Sequence, residues 1–245
     1  MLIAEAIGYK YHRILTDRIE PTSTAELKSE FDYSFAISYG EFLDFDYTIV
    51  SKNALLINLE KELDVLFSEF NSTNRKHIRR SEKIEDLQFH FGVADFERFY
   101  KFYSQCEEDR NWYPVPHSEL RNSKIIYATY KELPIAGMSA YSHGKFMRLG
   151  RIFSLRRSPK LETSSLICGV ASKRIVFEFC KYAKQHGFVS LDMGGVDWTS
   201  DLKSGISQFK LSFGGDLVPV KIGRYARSGY ARLEREMKAV GFDLT

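Results

Sequence analysis

Hydrophobic and polar residues alternate, or recur at helical spacing, along the whole chain, and this pattern predicts its elements. Residues 1–46 predict short strands and loops, with a strand at their end around Phe42–Phe45. Two apolar runs, 47–50 and 54–59, predict a strand, a turn and a second strand. Apolar residues at three- and four-residue steps from Glu60 to Ile84 then predict one long helix with a basic outer face.

From residue 87 onward, the predicted order combines a meander with a crossover helix. Because a meander pairs its strands antiparallel and a crossover pairs them parallel, the sheet is predicted to be mixed, with helices on both faces. The predicted elements are a strand at 87–91, an aromatic helix from 96, a polar loop at 107–113, strands at 125–130, 135–141 and 146–153, a helix at 163–186, a strand at 189–193, a short helix, a strand at 217–222 and a final helix.

Composition restricts the class of protein. The 245 residues are 44% hydrophobic and 27% charged, which is typical of one or two globular domains and excludes disordered and fibrous classes. A net charge of +3 excludes a strongly cationic nucleic-acid coat but leaves room for a local basic surface.

The cysteines, histidines and apolar runs bear on location and metal content. Three cysteines without a CxxC pair indicate a reducing compartment, and six histidines without H-x₃₋₅-H spacing give no support for a metal site. No run approaches 18 apolar residues, and charge appears too early for a signal peptide. We therefore expect a soluble, cytoplasmic protein that is a monomer or a small oligomer such as a homodimer.

Three local strings carry a family resemblance. The segment 74–81 (NRKHIRRS) resembles R-x-x-I-R-(K/R)-(A/S), 191–195 (LDMGG) is similar to D-x-G-G after a strand, and Gly205 with 209–215 (FKLSFGG) is similar to G-x-x-x-F-K-x-x-F-G-G. In this order, they resemble the FemABX-like branch of the GNAT acyltransferases over roughly residues 47–223. The resemblance implies an α/β (α+β) fold with a GNAT-like, mostly antiparallel central sheet, splayed central strands and helices on both faces. It also implies an acyltransferase domain at 47–245 preceded by an extension at 1–46.

Two features depart from the wider family. FemABX enzymes proper contain two GNAT-like units, whereas this chain has room for one unit and a remnant. The GNAT pyrophosphate motif (Q/R)-x-x-G-x-(G/A) is absent between Phe153 and Leu166, as it is in the FemABX branch.

The predicted donor site combines a glycine-bearing strand with a cationic loop. Gly150 within its strand indicates a bulge or a close backbone approach, or else a packing glycine. The loop from Arg156 leads into a helix N-terminus, where free amides favour an anion such as the pyrophosphate of coenzyme A, although a solvated turn with a helix cap is the alternative. The residues expected to bind acyl-CoA are Gly150, Arg151, Arg156, Arg157, Lys160, Ser164 and Ser165.

Lys210 and Asp192 are the predicted catalytic residues. The resemblance places the Phe209-Lys210 pair at the reaction centre, where the ammonium would stabilise the oxyanion of acyl transfer or a donor phosphate. Asp192 ends a buried strand and is expected either to accept the amine proton or to hold the Gly194-Gly195 turn by hydrogen bonds. For Lys210 the alternative is a surface lysine that pairs with Asp192.

Aromatic and basic residues are the predicted acceptor contacts. Trp112 and Tyr113 suit stacking on a sugar or base, with a role in pinning their loop as the alternative. Phe209 precedes the catalytic lysine, and Arg79 lies on the basic helix face, which is either a solvated surface or a site for a diphosphate or tRNA.

These observations predict an N-acyltransferase that uses acetyl-CoA or a short hydroxyacyl-CoA and needs no metal. The expected acceptor is the amino group of a nucleotide-linked amino sugar in bacterial surface polysaccharide biosynthesis. The alternatives are an aminoacyl-tRNA-dependent transferase that extends a peptidoglycan stem, and a non-catalytic GNAT-like binding module.

Overall fold

A computed structural model describes residues 1–6, 8–157, 165–197, 201–227 and 229–239. Ten strands form one sheet, and eight helices and a 3₁₀ turn at Leu155–Arg157 accompany it within the described ranges. The strands are β1 (Leu2–Ala6), β2 (Tyr9–Ile19), β3 (Tyr33–Phe42), β4 (Thr48–Asn58), β5 (Leu87–Phe91), β6 (Lys124–Tyr130), β7 (Leu133–His143), β8 (Phe146–Ser154), β9 (Ser190–Gly195) and β10 (Asp216–Ala226). The helices are α1 (Pro21–Glu30), α2 (Leu63–Glu69), α3 (Ser72–Ser81), α4 (Phe96–Glu108), α5 (His117–Arg121), α6 (Ser165–Gln185), α7 (Asp201–Leu211) and α8 (Tyr230–Ala239).

The sheet is mixed and mostly antiparallel, as predicted. Its order is β1-β2-β3-β10-β4-β9-β8-β7-β6-β5, and only the β2/β3 and β8/β9 pairs in this order are parallel. β3 pairs directly with β10, so residues before 47 belong to the same sheet as the rest of the chain. The domain boundary at residue 46 stays a prediction.

β8 and β9 separate in the middle of the sheet. They pair only from Phe146 opposite Ser190 to Arg148 opposite Asp192, and beyond this point β8 has no partner in β9. The splayed central strands that the sequence led us to expect are therefore present. On the side that faces β9, the gap leaves this part of the β8 backbone without a partner strand.

Helices cover both faces of the sheet, as predicted. Successive residues of a strand point to opposite faces, and on β6 Ile126 packs into the core with α6 and α3 while Ile125 packs with α4. The three cysteines are free thiols buried in these two cores. No helix in the described ranges combines the length and the apolar character needed to cross a membrane.

The long helix predicted from Glu60 to Ile84 is wrong, because the chain breaks it into α2 and α3. Phe70 is extended (φ −64°, ψ 142°), and the Asn71 side chain accepts a hydrogen bond from the Asn74 amide to cap α3. A capping asparagine starts a new helix within an apolar pattern that continues through the break.

The turn predicted within residues 51–53 is also wrong, because β4 runs unbroken through them. Lys52 and Asn53 pair with Val220 and Pro219 of β10, so a distant strand keeps this polar stretch extended. The opening segment likewise contains two long strands and α1 rather than short strands and loops.

The second half agrees with the predicted order. The meander β6–β8, strands β9 and β10, and helices α4, α6, α7 and α8 are all present. α4 extends to Glu108, two residues into the predicted loop, and α5 was not predicted. The predicted start of α6 at Thr163 lies outside the described residues.

Candidate active site

A cleft of about 1020 Å³ opens where β8 and β9 separate. Its walls come from β2, β3, β4, β7, β8, β9, β10, α5, α6, α7 and the segment after α4. Nine Lys and Arg residues and two acidic residues belong to its described lining, which favours an anionic ligand. The basic residues are Arg13, Lys52, Arg110, Arg148, Arg151, Arg156, Lys173, Lys210 and Arg224, and the acidic ones are Glu119 and Asp197.

Lys210 extends from the last turn of α7 into this cleft. Its Nζ donates a hydrogen bond to the Gly195 carbonyl at 2.7 Å. Burial, with help from Arg148 and Lys52, lowers the pKa of Lys210 from 10.5 to about 8, while Asp192 acts in the opposite direction. Such an ammonium is still charged at neutral pH and lies in a partly dry cleft, where it interacts strongly with a developing negative charge.

Asp192 is fully buried and organises the turn beside Lys210. Its Oδ2 accepts hydrogen bonds from Arg148 and from the Tyr39 hydroxyl (2.8 Å), and its Oδ1 accepts one from the Gly194 amide (2.6 Å). Both oxygens are thus engaged in holding neighbouring groups. Of the two expected roles, this geometry favours support of the Gly194-Gly195 turn.

Gly194 allows Lys210 and Arg148 to approach the turn closely. Its φ of +86° is in the left-handed region, which favours glycine. A Cβ at this position would lie 3.2 Å from Lys210 Nζ and 3.7 Å from Arg148 Nη2. A side chain there would displace the Lys210 ammonium.

The bulge that Gly150 indicated is present in β8. Ser139 pairs with Arg151 and Ala140 with Leu149, so Gly150 is the extra residue between them. The Ser139 hydroxyl accepts a hydrogen bond from the Arg151 amide at 3.1 Å. Gly150, Arg151 and Ile152 all line the cleft, beyond the point where β8 pairs with β9.

Positive charge continues from β8 to α6. Arg156 lines the cleft and lies over Gly169, where an added Cβ would be 4.0 Å from its Nη1. Burial, then Arg156, lowers the pKa of Lys173, whose Nζ lies 2.8 Å from His77 Nδ1. Ser165 is the exposed first residue of α6, whereas Lys160 and Ser164 and the side chain of Arg157 lie outside the described part of the chain.

The predicted acceptor contacts are only partly brought together. Trp112 and Phe209 line the cleft, and Arg110 holds Trp112 near β8 by lying 5.7 Å above its ring while donating to the Ile152 carbonyl at 2.6 Å. Tyr113 is exposed and is not part of the described cleft lining. Arg79 lies on α3 in a separate groove of about 460 Å³, 5.4 Å from the Phe67 ring.

Several cleft residues were missed by the sequence reasoning. Charged residues within apolar strands were the available signal: Arg13 lies in the run YHRIL and Arg148 between Met147 and Leu149. Arg13 forms a buried ion pair with Glu119 at 3.2 Å. The charged and aromatic residues that the sequence reasoning did not assign to this cleft are Arg13, Phe35, Lys52, Arg110, Glu119, Tyr141, Arg148, Lys173, Asp197 and Arg224.

No protein-family model matches this sequence, and no curated protein matches it. Solved structures are similar to it. FemX is 14% identical with a TM-score of 0.56, covering 89% of this chain and 77% of its own. L-PGS from Bacillus licheniformis is 13% identical with a TM-score of 0.52, covering 98% and 86%. The C-terminal domain of a putative lysylphosphatidylglycerol synthetase from Agrobacterium fabrum is 11% identical with a TM-score of 0.52, covering 97% and 84%. At these identities the likeness shows the fold, and the chain has the GNAT-like fold expected from its sequence.

Proposed function

We propose that this chain is an acyltransferase of the FemABX-like branch that moves an acyl group from a thioester to an amine. The observation that carries the proposal is the position of Lys210, whose ammonium is buried beside the gap between β8 and β9. A cation at this point serves the oxyanion of an acyl-transfer intermediate.

The donor is acyl-CoA, with its pantetheine arm along β8. Beyond Arg148, this strand has no partner in β9, so its open edge can pair with an extended ligand that adds as a strand would. The Ile152 carbonyl, which accepts a hydrogen bond from Arg110, is already engaged. The bulge at Gly150 bends the strand and changes the direction in which its edge faces. The pyrophosphate binds Arg156 and the start of α6, with Arg157, Lys160 and Ser164 expected to contribute from the loop.

The chemical step needs few groups from the protein. The neutral amine attacks the thioester carbon, the carbonyl π electrons move to oxygen, and Lys210 donates a hydrogen bond to the resulting oxyanion. When the carbonyl reforms, the C–S bond breaks, and the proton lost by the amine neutralises the departing sulfur. Asp192 positions Arg148 and the Gly194 turn around this centre.

The acceptor is an amino sugar linked to a nucleotide, as used in surface polysaccharide biosynthesis. The excess of cations over carboxylates in the described cleft lining supports an acceptor with a diphosphate. Trp112, held by Arg110, offers a ring on which a sugar or base can stack.

Release of free thiol from acetyl-CoA in the presence of a nucleotide-linked amino sugar tests this function. We expect Arg156→Ala to raise KM for acetyl-CoA about tenfold with kcat nearly kept, because it removes a contact made equally in the ground and transition states. Lys83→Ala, an exposed lysine just after the C-terminus of α3, is the matched control. Thiol release that is independent of the amine, or an unchanged KM in Arg156→Ala, would contradict the proposal.

A second candidate is transfer from an aminoacyl-tRNA, and the groove on α3 favours it. Ser72, Arg75, Lys76, Arg79, Arg80 and Lys83 line this groove, and the nearby Glu82 is paired with Arg174 at 2.5 Å. A run of cations suits a polyanion whose binding weakens with salt. tRNA is the donor if two results hold. The parent protein releases no thiol from acetyl-CoA but transfers the aminoacyl group of an aminoacyl-tRNA, and Arg79→Glu, Arg80→Glu abolishes that transfer.

A further inference from the structure

One part of the cleft has a chemistry that the donor does not require. We call it the inner chamber, and its walls are Arg13 of β2, Phe35 of β3, Glu119 of α5, Tyr141 of β7 and Arg224 of β10. These residues come from four strands of the sheet and from α5, whereas the proposed donor groove is formed by β8 and α6. The inner chamber and the donor groove belong to one continuous cleft.

A buried ion pair fixes one side of the inner chamber. Glu119 Oε2 accepts hydrogen bonds from Arg13 Nη2 at 3.2 Å and from the Tyr11 hydroxyl at 2.7 Å. The Arg13 guanidinium lies 4.8 Å from the centre of the Phe35 ring, which limits its movement. Glu119 Oε1 takes part in no hydrogen bond within the described residues and is not sealed from the cleft, although only 8% of the side chain is exposed.

Tyr141 provides a second, independent observation. Only 5% of this residue is exposed, yet it lines the cleft. Its hydroxyl makes no hydrogen bond to the described residues and is not sealed from the cleft space. Burial raises the pKa of Tyr141, so the phenol keeps its proton and can donate a hydrogen bond to a ligand.

Opposite charges surround this hydroxyl. The Arg13 guanidinium lies 6.0 Å from the Tyr141 ring centre, and Tyr141 also interacts electrostatically with Arg148, Asp192 and Glu119. The chamber therefore offers donors for an anion, namely Tyr141 and the guanidinium groups, beside one carboxylate oxygen that can accept from an amine. A buried hydroxyl that lacks a partner costs stability, and a ligand that bonds to it recovers that cost.

We propose that the inner chamber is the acceptor site and selects a primary amine that carries an acidic group, a carboxylate or a phosphate, within the same small molecule. This inference rests on the proposed function, because it names the class of its acceptor. The amine binds Glu119 Oε1, and the acidic group binds the Tyr141 hydroxyl beside Arg13 and Arg148. A molecule with only one of these charges satisfies half of the site.

Calorimetry measures the binding of acceptor probes in the absence of any acyl donor, and this tests the inner chamber separately from catalysis. The probes are glucosamine 1-phosphate (amine and phosphate) and glycylglycine (amine and carboxylate), with glucosamine and inorganic phosphate as single-charge controls. We expect at least one two-charge probe to bind ten times more tightly than both controls, and the probe that does so identifies the acidic group. Equal binding of probes and controls, or no binding of either probe at millimolar concentration, overturns the proposal.

Tyr141→Phe is the decisive variant, because it removes a hydroxyl that bonds to no described residue and leaves the core packing in place. We expect the affinity for the two-charge probe to fall about tenfold, with Tyr130→Phe, a half-buried tyrosine of β6 outside the described cleft lining, as the unaffected control. Glu119→Gln is a second variant, expected to weaken only amine-bearing probes. An unchanged affinity in Tyr141→Phe overturns the assignment. Tyr141-dependent binding in a protein that transfers no acyl group would keep the chamber and reject the proposed function.

Discussion

Replacing Lys210 by methionine should make the protein more stable and nearly inactive. Methionine keeps most of the volume of the side chain but removes the charge. The pKa of Lys210 falls from 10.5 to about 8 on folding, chiefly through burial, and at about 1.4 kcal/mol per pKa unit this corresponds to roughly 3 kcal/mol against the charged form. The hydrogen bond to the Gly195 carbonyl returns about 1 kcal/mol. We therefore expect Lys210→Met to stabilise the fold by roughly 1–2 kcal/mol at pH 7.

The pH dependence of this gain follows from linkage. Between about 8 and 10.5, the unfolded chain holds the Lys210 proton and the folded chain does not, so the wild-type protein gains stability as the pH rises through this interval. Lys210→Met lacks this gain. Its advantage over the wild type should be largest below pH 8 and should fade towards pH 10.5.

Urea unfolding at pH 7 and pH 9.5 measures the stability difference, and steady-state thiol release measures activity. We expect kcat to fall about 10²–10³-fold with substrate KM nearly kept, as for the loss of an oxyanion donor. Lys124→Met, an exposed lysine on β6, is the control for both assays. Wild-type turnover in Lys210→Met would contradict the proposed mechanism and favour a binding module. A loss of stability at pH 7 would refute the argument from burial.

Two further predictions concern the surroundings of Lys210. Lys52 helps to lower the pKa of Lys210 to about 8, so Lys52→Met should raise that pKa and move the alkaline limb of the kcat profile to higher pH, whereas an unmoved limb would exclude Lys210 as the titrating group. Asp192→Asn should cost about 3–5 kcal/mol in urea unfolding, because it leaves the buried Arg148 guanidinium uncompensated, while the acidic limb of the rate profile persists. Loss of that limb would instead identify Asp192 as the base.

The meander was predictable because its signals are local. Strands β6 to β8 are joined by tight turns at Lys131-Glu132 and Gly144, and each strand has its own apolar run. Gly150 within an apolar strand likewise indicated a bulge from its local sequence alone. At these positions neighbouring residues decide the structure, and the sequence was sufficient.

One error arises where distant residues decide the structure, and another where a local signal was hidden. Lys52 and Asn53 form a plausible turn in isolation but stay extended because β10, more than 160 residues later in the sequence, pairs with them. The break before α3 had a local signal in Asn71, which was hidden by an apolar spacing that continues across it. The inner chamber combines β2, β3, α5, β7 and β10, so no stretch of sequence displays it.

The charge balance of the cleft links these parts. Arg13 and Arg148 are each compensated by a buried carboxylate, Glu119 and Asp192, which fixes their positions. Burial, together with Arg148 and Lys52, lowers the pKa of Lys210, although Asp192 acts in the opposite direction. Folding alone gains nothing from burying that ammonium. An anionic ligand in the cleft would reverse the balance, raise the pKa of Lys210 and recover the energy that its burial costs. In the proposed reaction, the substrate or the oxyanion formed from it would supply the negative charge that compensates Lys210 in the cleft.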